Sequence, residues 1–269
     1  MMEESQQAAP AIAPDGPAFG PRRWRGWPIV GITVIGVAVL YLVQVIVLGF
    51  IVVFTVLPYM RLHPSAVPDI ATITKLASTA PELFAMVIPG EALMAFLAVV
   101  LAAGTLGATR ANLGLGRPPK ASDFLLGIGA GAGLVLVSDL VAKLQERLFG
   151  VHPQPAVQII MSHHGIVSFA LDFVTVALAA GVCEEILFRG VVFAALVQRM
   201  SLGWAVALSG LLFAAAHVEP WSILELWTVG MGLGLLYYST RTLWPNMVAH
   251  TAFNAFTLVI VYFFPQLAK

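Results

Sequence analysis

Residues 166–199 read IVSFALDFVTVALAAGVCEEILFRGVVFAALVQR. The run is apolar and longer than the about 20 residues a spanning helix needs. In its middle stand three ionisable side chains, Glu184, Glu185 and Arg189. A charge at membrane depth costs several kcal/mol unless it is paired or faces a polar cavity, so such a group marks a candidate functional site.

The rest of the chain repeats the apolar theme. Apolar residues make up 59% of the 269 and charged residues 10%, far below the about 25% charge of a water-soluble domain. Mean hydropathy is +0.90. Apolar stretches fall at 29–57, 84–106, 123–142, 166–199, 204–218, 222–239 and 246–264. The reading is an all-α, polytopic transmembrane helix bundle of about seven to eight spans. The first stretch is a retained anchor, too long for a signal-peptide core, with a break into two elements near Gly49. Residues 1–21, rich in Ala, Pro and Gln, read as a disordered tail, and 22–269 as one membrane domain. Trp24 and Trp27 suit a membrane interface.

Net charge is zero, which removes the usual basis for nucleic-acid binding. Cys183 is the single cysteine, so no intrachain disulfide can form. Arg22, Arg23, Arg25, Arg110, Arg117, Lys120, Arg199 and Arg241 fall on one side of the spans, against Arg61, Lys75, Lys143, Arg147 and Lys269 on the other. The positive-inside rule then puts the N-terminus in the cytoplasm. The pairs Gly127/Gly131, Gly129/Gly133 and Gly230/Gly234 have the spacing of close helix-packing faces.

Spacing brings the embedded polar groups together. Glu185 and Arg189 share a helix face at i, i+4, which fits either a packing ion pair or a working carboxylate. Glu184 points about 100° away with no partner on its own helix. Residues 184 and 217 are equidistant from the turn signal Ser201-Leu202-Gly203. Antiparallel helices turning there bring Glu184 and His217 to one level, about 20–25 Å from the turn. Phe213 lies four before His217 and can pack on its ring. His250 and Asn254 share a face of the last span and carry the donors an oxyanion would need, although an interhelical hydrogen-bond pair would use them equally well. His250 lies only about 8 Å into its helix, shallower than Glu184.

Glu91, Asp139 and Asp172 are read without partners on their own helices, Glu219 and Glu225 as interfacial, and His163 and His164 as solvated loop residues. The sequence has no His-Glu-x-x-His, so nothing supports a zincin site. It has no Gly-x-Ser-x-Gly either, the mark of a serine nucleophile elbow.

Glu184-Glu185-x-x-x-Arg189, Phe213-x-x-x-His217 and His250-x-x-x-Asn254, in that order on apolar helices, resemble the CPBP family, which holds the type II CAAX prenyl endopeptidases and the bacterial Abi relatives. The resemblance covers roughly 166–262. It implies an intramembrane endopeptidase in which Glu184 activates water, His217 assists, and His250 and Asn254 stabilise the oxyanion, with Glu185, Arg189 and Phe213 in support. It implies no cofactor. The partners are the bilayer and a peptide or protein substrate, lipidated or membrane-associated, and the expected location is a bacterial plasma membrane. Two alternatives stay open. One is a metal-dependent protease holding zinc on Glu184, His217 and His250. The other is a non-catalytic protein, such as a bacteriocin immunity or assembly factor or a proton-coupled carrier, because embedded carboxylates and histidines also build proton relays.

Overall fold

The computed structural model describes residues 26–63, 72, 79–150 and 155–267. The predicted tail at 1–21, Trp24 and the side chain of Trp27 lie outside them. Eight helices form the described part. Helix α1 covers Gly26–Ile51 and continues through a π-helical Val52–Val56 into Leu57–Leu62. Then follow α2 (Ala80–Leu106), α3 (Ala121–Phe149), α4 (Pro155–Met161), α5 (Gly165–Leu196), α6 (Leu202–Ala216), α7 (Ile223–Thr240) and α8 (Trp244–Phe263). No strand occurs among the described residues.

Five of these, α1, α2, α3, α5 and α8, are long and apolar enough to cross a membrane. Two of the seven predicted spans, 204–218 and 222–239, are the shorter pair α6 and α7. At 15 residues, α6 is about 22 Å long, short of the about 30 Å hydrocarbon core. It ends at Ala216 because Val218 takes a φ of 55° and Pro220 follows. The expected break near Gly49 is absent. Gly49 lies inside α1, and the only irregularity there is the π-helical turn at Val52–Val56, which keeps the backbone hydrogen-bonded. That is the requirement lipid imposes.

Backbone crossings at glycine set the bundle. A Cβ on Gly131 would stand 2.6 Å from the Ala249 carbonyl oxygen, and one on Gly127 2.8 Å from that of Pro245, so this face lets α3 lie against α8. Gly210 and Gly230 meet where α6 crosses α7. Gly181 of α5 packs on the Thr251 backbone of α8. The Gly129/Gly133 pair faces open space instead, with nothing within 4 Å of a Cβ at either. These two glycines lie on the side of α3 turned away from α8.

The helix-joining segments at 107–120 and 241–243 meet at one end of the bundle. The Leu243 amide donates to the Gly114 carbonyl at 3.0 Å, and Trp244 Nε1 to that of Arg117 at 2.7 Å. Arg110, Arg117, Lys120 and Arg241 therefore share that end. The main core joins α1, α2, α5, α6 and α7 through Ile29, Met94, Leu187, Phe193, Phe213 and Tyr237.

Two expectations about polar residues, those for His163 and Asp139, are corrected. His163 is buried, its Nδ1 donating to Asp172 Oδ2 at 2.7 Å, and Tyr262 donates to the same oxygen at 2.6 Å. Asp172 thus ties the start of α5 to the end of α8. Asp139 pairs with Lys143 one turn along α3, at 2.6 Å.

Candidate active site

The helix that carries the two glutamates is irregular on both sides of them. In α5, π-helical Phe173–Ala179 precedes and π-helical Ile186–Phe193 follows an α-helical stretch, Ala180–Glu185. Inserted π turns of this kind occur often at functional sites.

The two neighbours meet opposite fates. Glu185 is wholly buried and fully engaged. Its Oε1 accepts from Arg189 Nη1 at 2.7 Å and from His250 Nδ1 at 3.0 Å, and its Oε2 accepts from Asn246 Nδ2 at 3.2 Å. Arg189 is equally buried. It also donates to the Gly230 carbonyl at 3.2 Å and lies 4.6 Å from the centre of the Phe213 ring. A buried ion pair repays its desolvation only when such extra bonds satisfy it.

Glu184 is buried too, yet its Oε2 has no hydrogen-bond partner. His217 Nε2 lies 3.9 Å from that oxygen. That ring is oriented by its other nitrogen, which donates to the Phe213 carbonyl at 2.8 Å. Nδ1 therefore carries a proton, and Nε2 is the ring atom turned towards Glu184. Phe213 organises the site, its ring centre 4.8 Å from that of His217 and 5.6 Å from that of His250. Val218, next to His217, holds a left-handed φ, a strained state for a β-branched residue.

The level match expected from the turn therefore holds for Glu184 and His217. The shallower position counted for His250 does not keep it from α5, because it reaches Glu185. Asn254 has a hydrogen bond to α5 of its own. Its Nδ2 donates to the Val176 carbonyl at 2.8 Å, leaving one N–H and Oδ1 for other partners. Among the described residues, no three or more His, Cys, Asp or Glu side chains are placed to hold a metal ion. Glu184, His217 and His250 thus do not form a ligand set in this geometry.

Three residues given no role from sequence lie at the site. Asn246, wholly buried, bridges Glu185 and the Leu233 carbonyl. It stands one turn before His250, so the stripe 246, 250, 254 could have revealed it. Glu91 of α2 is buried, its Oε2 has no partner, and it lies within electrostatic reach of Glu184. Tyr41 of α1 donates its hydroxyl to the Ala216 carbonyl, beside His217. No local spacing points to Glu91 or Tyr41, because their helices are far from α5 in the chain.

Residues 166–256 match the family model described as type II CAAX prenyl endopeptidase Rce1-like. The chain is also 26% identical over 90 residues to "Putative membrane peptidase YdiL" of Bacillus subtilis (strain 168). That alignment covers 34% of this chain and 37% of the relative's length. No solved structure matches the chain.

Proposed function

We propose that this integral membrane protein is an intramembrane endopeptidase of the CPBP type, in which Glu184 activates the attacking water; the match of residues 166–256 to the Rce1-like family model and the likeness to a membrane peptidase support the reading. One observation carries the reading: a buried carboxylate oxygen without a hydrogen-bond partner lies 3.9 Å from His217 Nε2. That separation is too long for a hydrogen bond, yet one oxygen about 2.8 Å from each atom can contact both. Water held there gives its proton to Glu184 while His217 orients it, the arrangement general-base catalysis needs. The hydroxyl oxygen then bonds to the scissile carbonyl carbon.

His250 and Asn254 stabilise the resulting oxyanion in this reading. With Nδ1 donating to Glu185, His250 donates to the oxyanion from Nε2 in its doubly protonated form. Asn254 offers its second amide N–H. Glu185, Arg189 and Asn246 hold His250 in place. Phe213 spaces the two histidines.

The substrate in this reading is a peptide or protein segment at the membrane, with or without a lipid modification. We place the protein in a bacterial plasma membrane with a cytoplasmic N-terminus. No metal is invoked, because the glutamate route needs none. The test is cleavage of quenched fluorescent peptides, farnesylated CAAX-type tails beside unmodified hydrophobic tails, by detergent-purified protein under exhaustive chelation. Turnover of at least one peptide is expected. Turnover that chelation abolishes and zinc restores would replace this reading with the metal-dependent one. Absence of turnover, together with retained biological activity of a Glu184→Gln variant, would replace it with a non-catalytic role.

A further inference from the structure

Glu91 lies outside the matched segment, on α2, and no motif includes it. It is 3% exposed, and its Oε2 is buried without a hydrogen-bond partner. An uncompensated polar atom at that depth calls for an explanation. Its surroundings supply one. Glu91 is within electrostatic reach of Glu184 and of Cys183, the residue before it. Tyr41 is within reach of both glutamates.

The fold builds this proximity. A Cβ on Gly90 would lie 2.9 Å from Leu40 Cδ1 and 3.2 Å from the Leu40 carbonyl oxygen, so α1 and α2 cross at Leu40 and Gly90. The next residue on each helix is Tyr41 and Glu91. A Cβ on Gly36 of α1 would meet both Leu187 of α5 at 3.3 Å and Met94 of α2 at 3.5 Å, so the three helices converge there in one core. Two carboxyl groups in one low-dielectric site disfavour double ionisation and share protons as a pair.

We propose that Glu91 is the proton partner of Glu184, exchanging one proton with it in each turnover. The inference rests on the peptidase reading above. The pair starts the cycle with one proton, on Glu91. Glu184 takes a second from water as the hydroxyl bonds to the carbonyl carbon. When the C–N bond breaks, the leaving nitrogen takes one proton from the pair and departs as the amine. The other water proton leaves with the acid product, and the pair is back to one. Glu91 acts through Glu184 and is a positioning residue.

Of the ionisable groups on elements packed against α2, Glu184 and Cys183 of α5 and Tyr41 of α1 are within electrostatic reach of Glu91. Arg189 is held by Glu185 and the Gly230 carbonyl, and Asp172 by His163 and Tyr262. The test compares full-length wild type with Glu91→Gln, Glu91→Asp and Glu184→Gln. On a cleaved peptide, Glu91→Gln is expected to lower kcat about a hundredfold with KM little changed. It is also expected to move the acid limb of the pH profile of kcat/KM by about one unit or more. Glu91→Asp should restore most of the rate. An infrared titration of the protonated-carboxyl band needs no turnover and separates this inference from the peptidase reading. The Glu91 contribution to that band should shift when Glu184 becomes Gln. An acid limb that stays in place, or a Glu91 band indifferent to Glu184→Gln, overturns the proposal.

Discussion

The carboxylate of Glu185 accepts hydrogen bonds from Arg189, His250 and Asn246, whereas Oε2 of Glu184, the residue before it, is buried with no partner. One residue of sequence separates a carboxylate spent on structure from one left for chemistry. The consequences for mutation differ in kind, because losing the first strands a buried guanidinium and losing the second strands nothing.

Glu185→Leu should therefore damage the fold. Breaking a buried pair from one side costs about 3–5 kcal/mol, since Arg189 keeps its charge at 0% exposure. Thermal unfolding of the detergent-solubilised protein should show a large drop in midpoint. Glu185→Leu combined with Arg189→Met should recover much of it. Equal damage in single and double variants would contradict the pairing.

Asn246→Ala should cost about 1–3 kcal/mol, the price of removing one partner of a buried hydrogen-bonded group. The Leu233 carbonyl and Glu185 Oε2 both lose their donor. His250 loses part of its support, so peptide cleavage should fall as well. Unchanged stability and turnover would remove Asn246 from the site.

The glycines of α3 should divide by face. Gly131→Val drives side-chain atoms into the Ala249 carbonyl and Ala252, and should separate α3 from α8 with loss of folded protein. Gly129→Ala meets nothing within 4 Å. It should be neutral or stabilise by up to about 1 kcal/mol through helix propensity. Similar midpoints for Gly131→Val and Gly129→Ala would contradict the packing.

What the sequence makes legible follows the reach of its rules. The ion pair Glu185/Arg189 and the ring contact Phe213/His217 are one helical turn apart, and both occur as the spacing implies. Glu184 and His217 meet because a hairpin fixes relative depth once its turn is located. Glu91 and Tyr41 escape these rules. Their place depends on which faces of α1 and α2 touch α5, and glycine crossings at Gly36 and Gly90 decide that. His163 looks like a loop residue because it stands outside the apolar run, but Asp172 and Tyr262 draw it inside. The stretches at 204–218 and 222–239 are apolar enough to resemble spans, yet Pro220 and the turn at Val218 end α6 early.

The most direct measurement is the rate of peptide-bond hydrolysis by Glu184→Gln beside wild type, both chelated and both shown to be folded by equal unfolding midpoints. Replacing a carboxylate whose Oε2 has no hydrogen-bond partner should leave the midpoint unchanged. Loss of the general base should lower kcat by about 10²–10⁴-fold. A folded Glu184→Gln variant that cleaves at the wild-type rate would contradict the assignment of Glu184 as the residue that activates water.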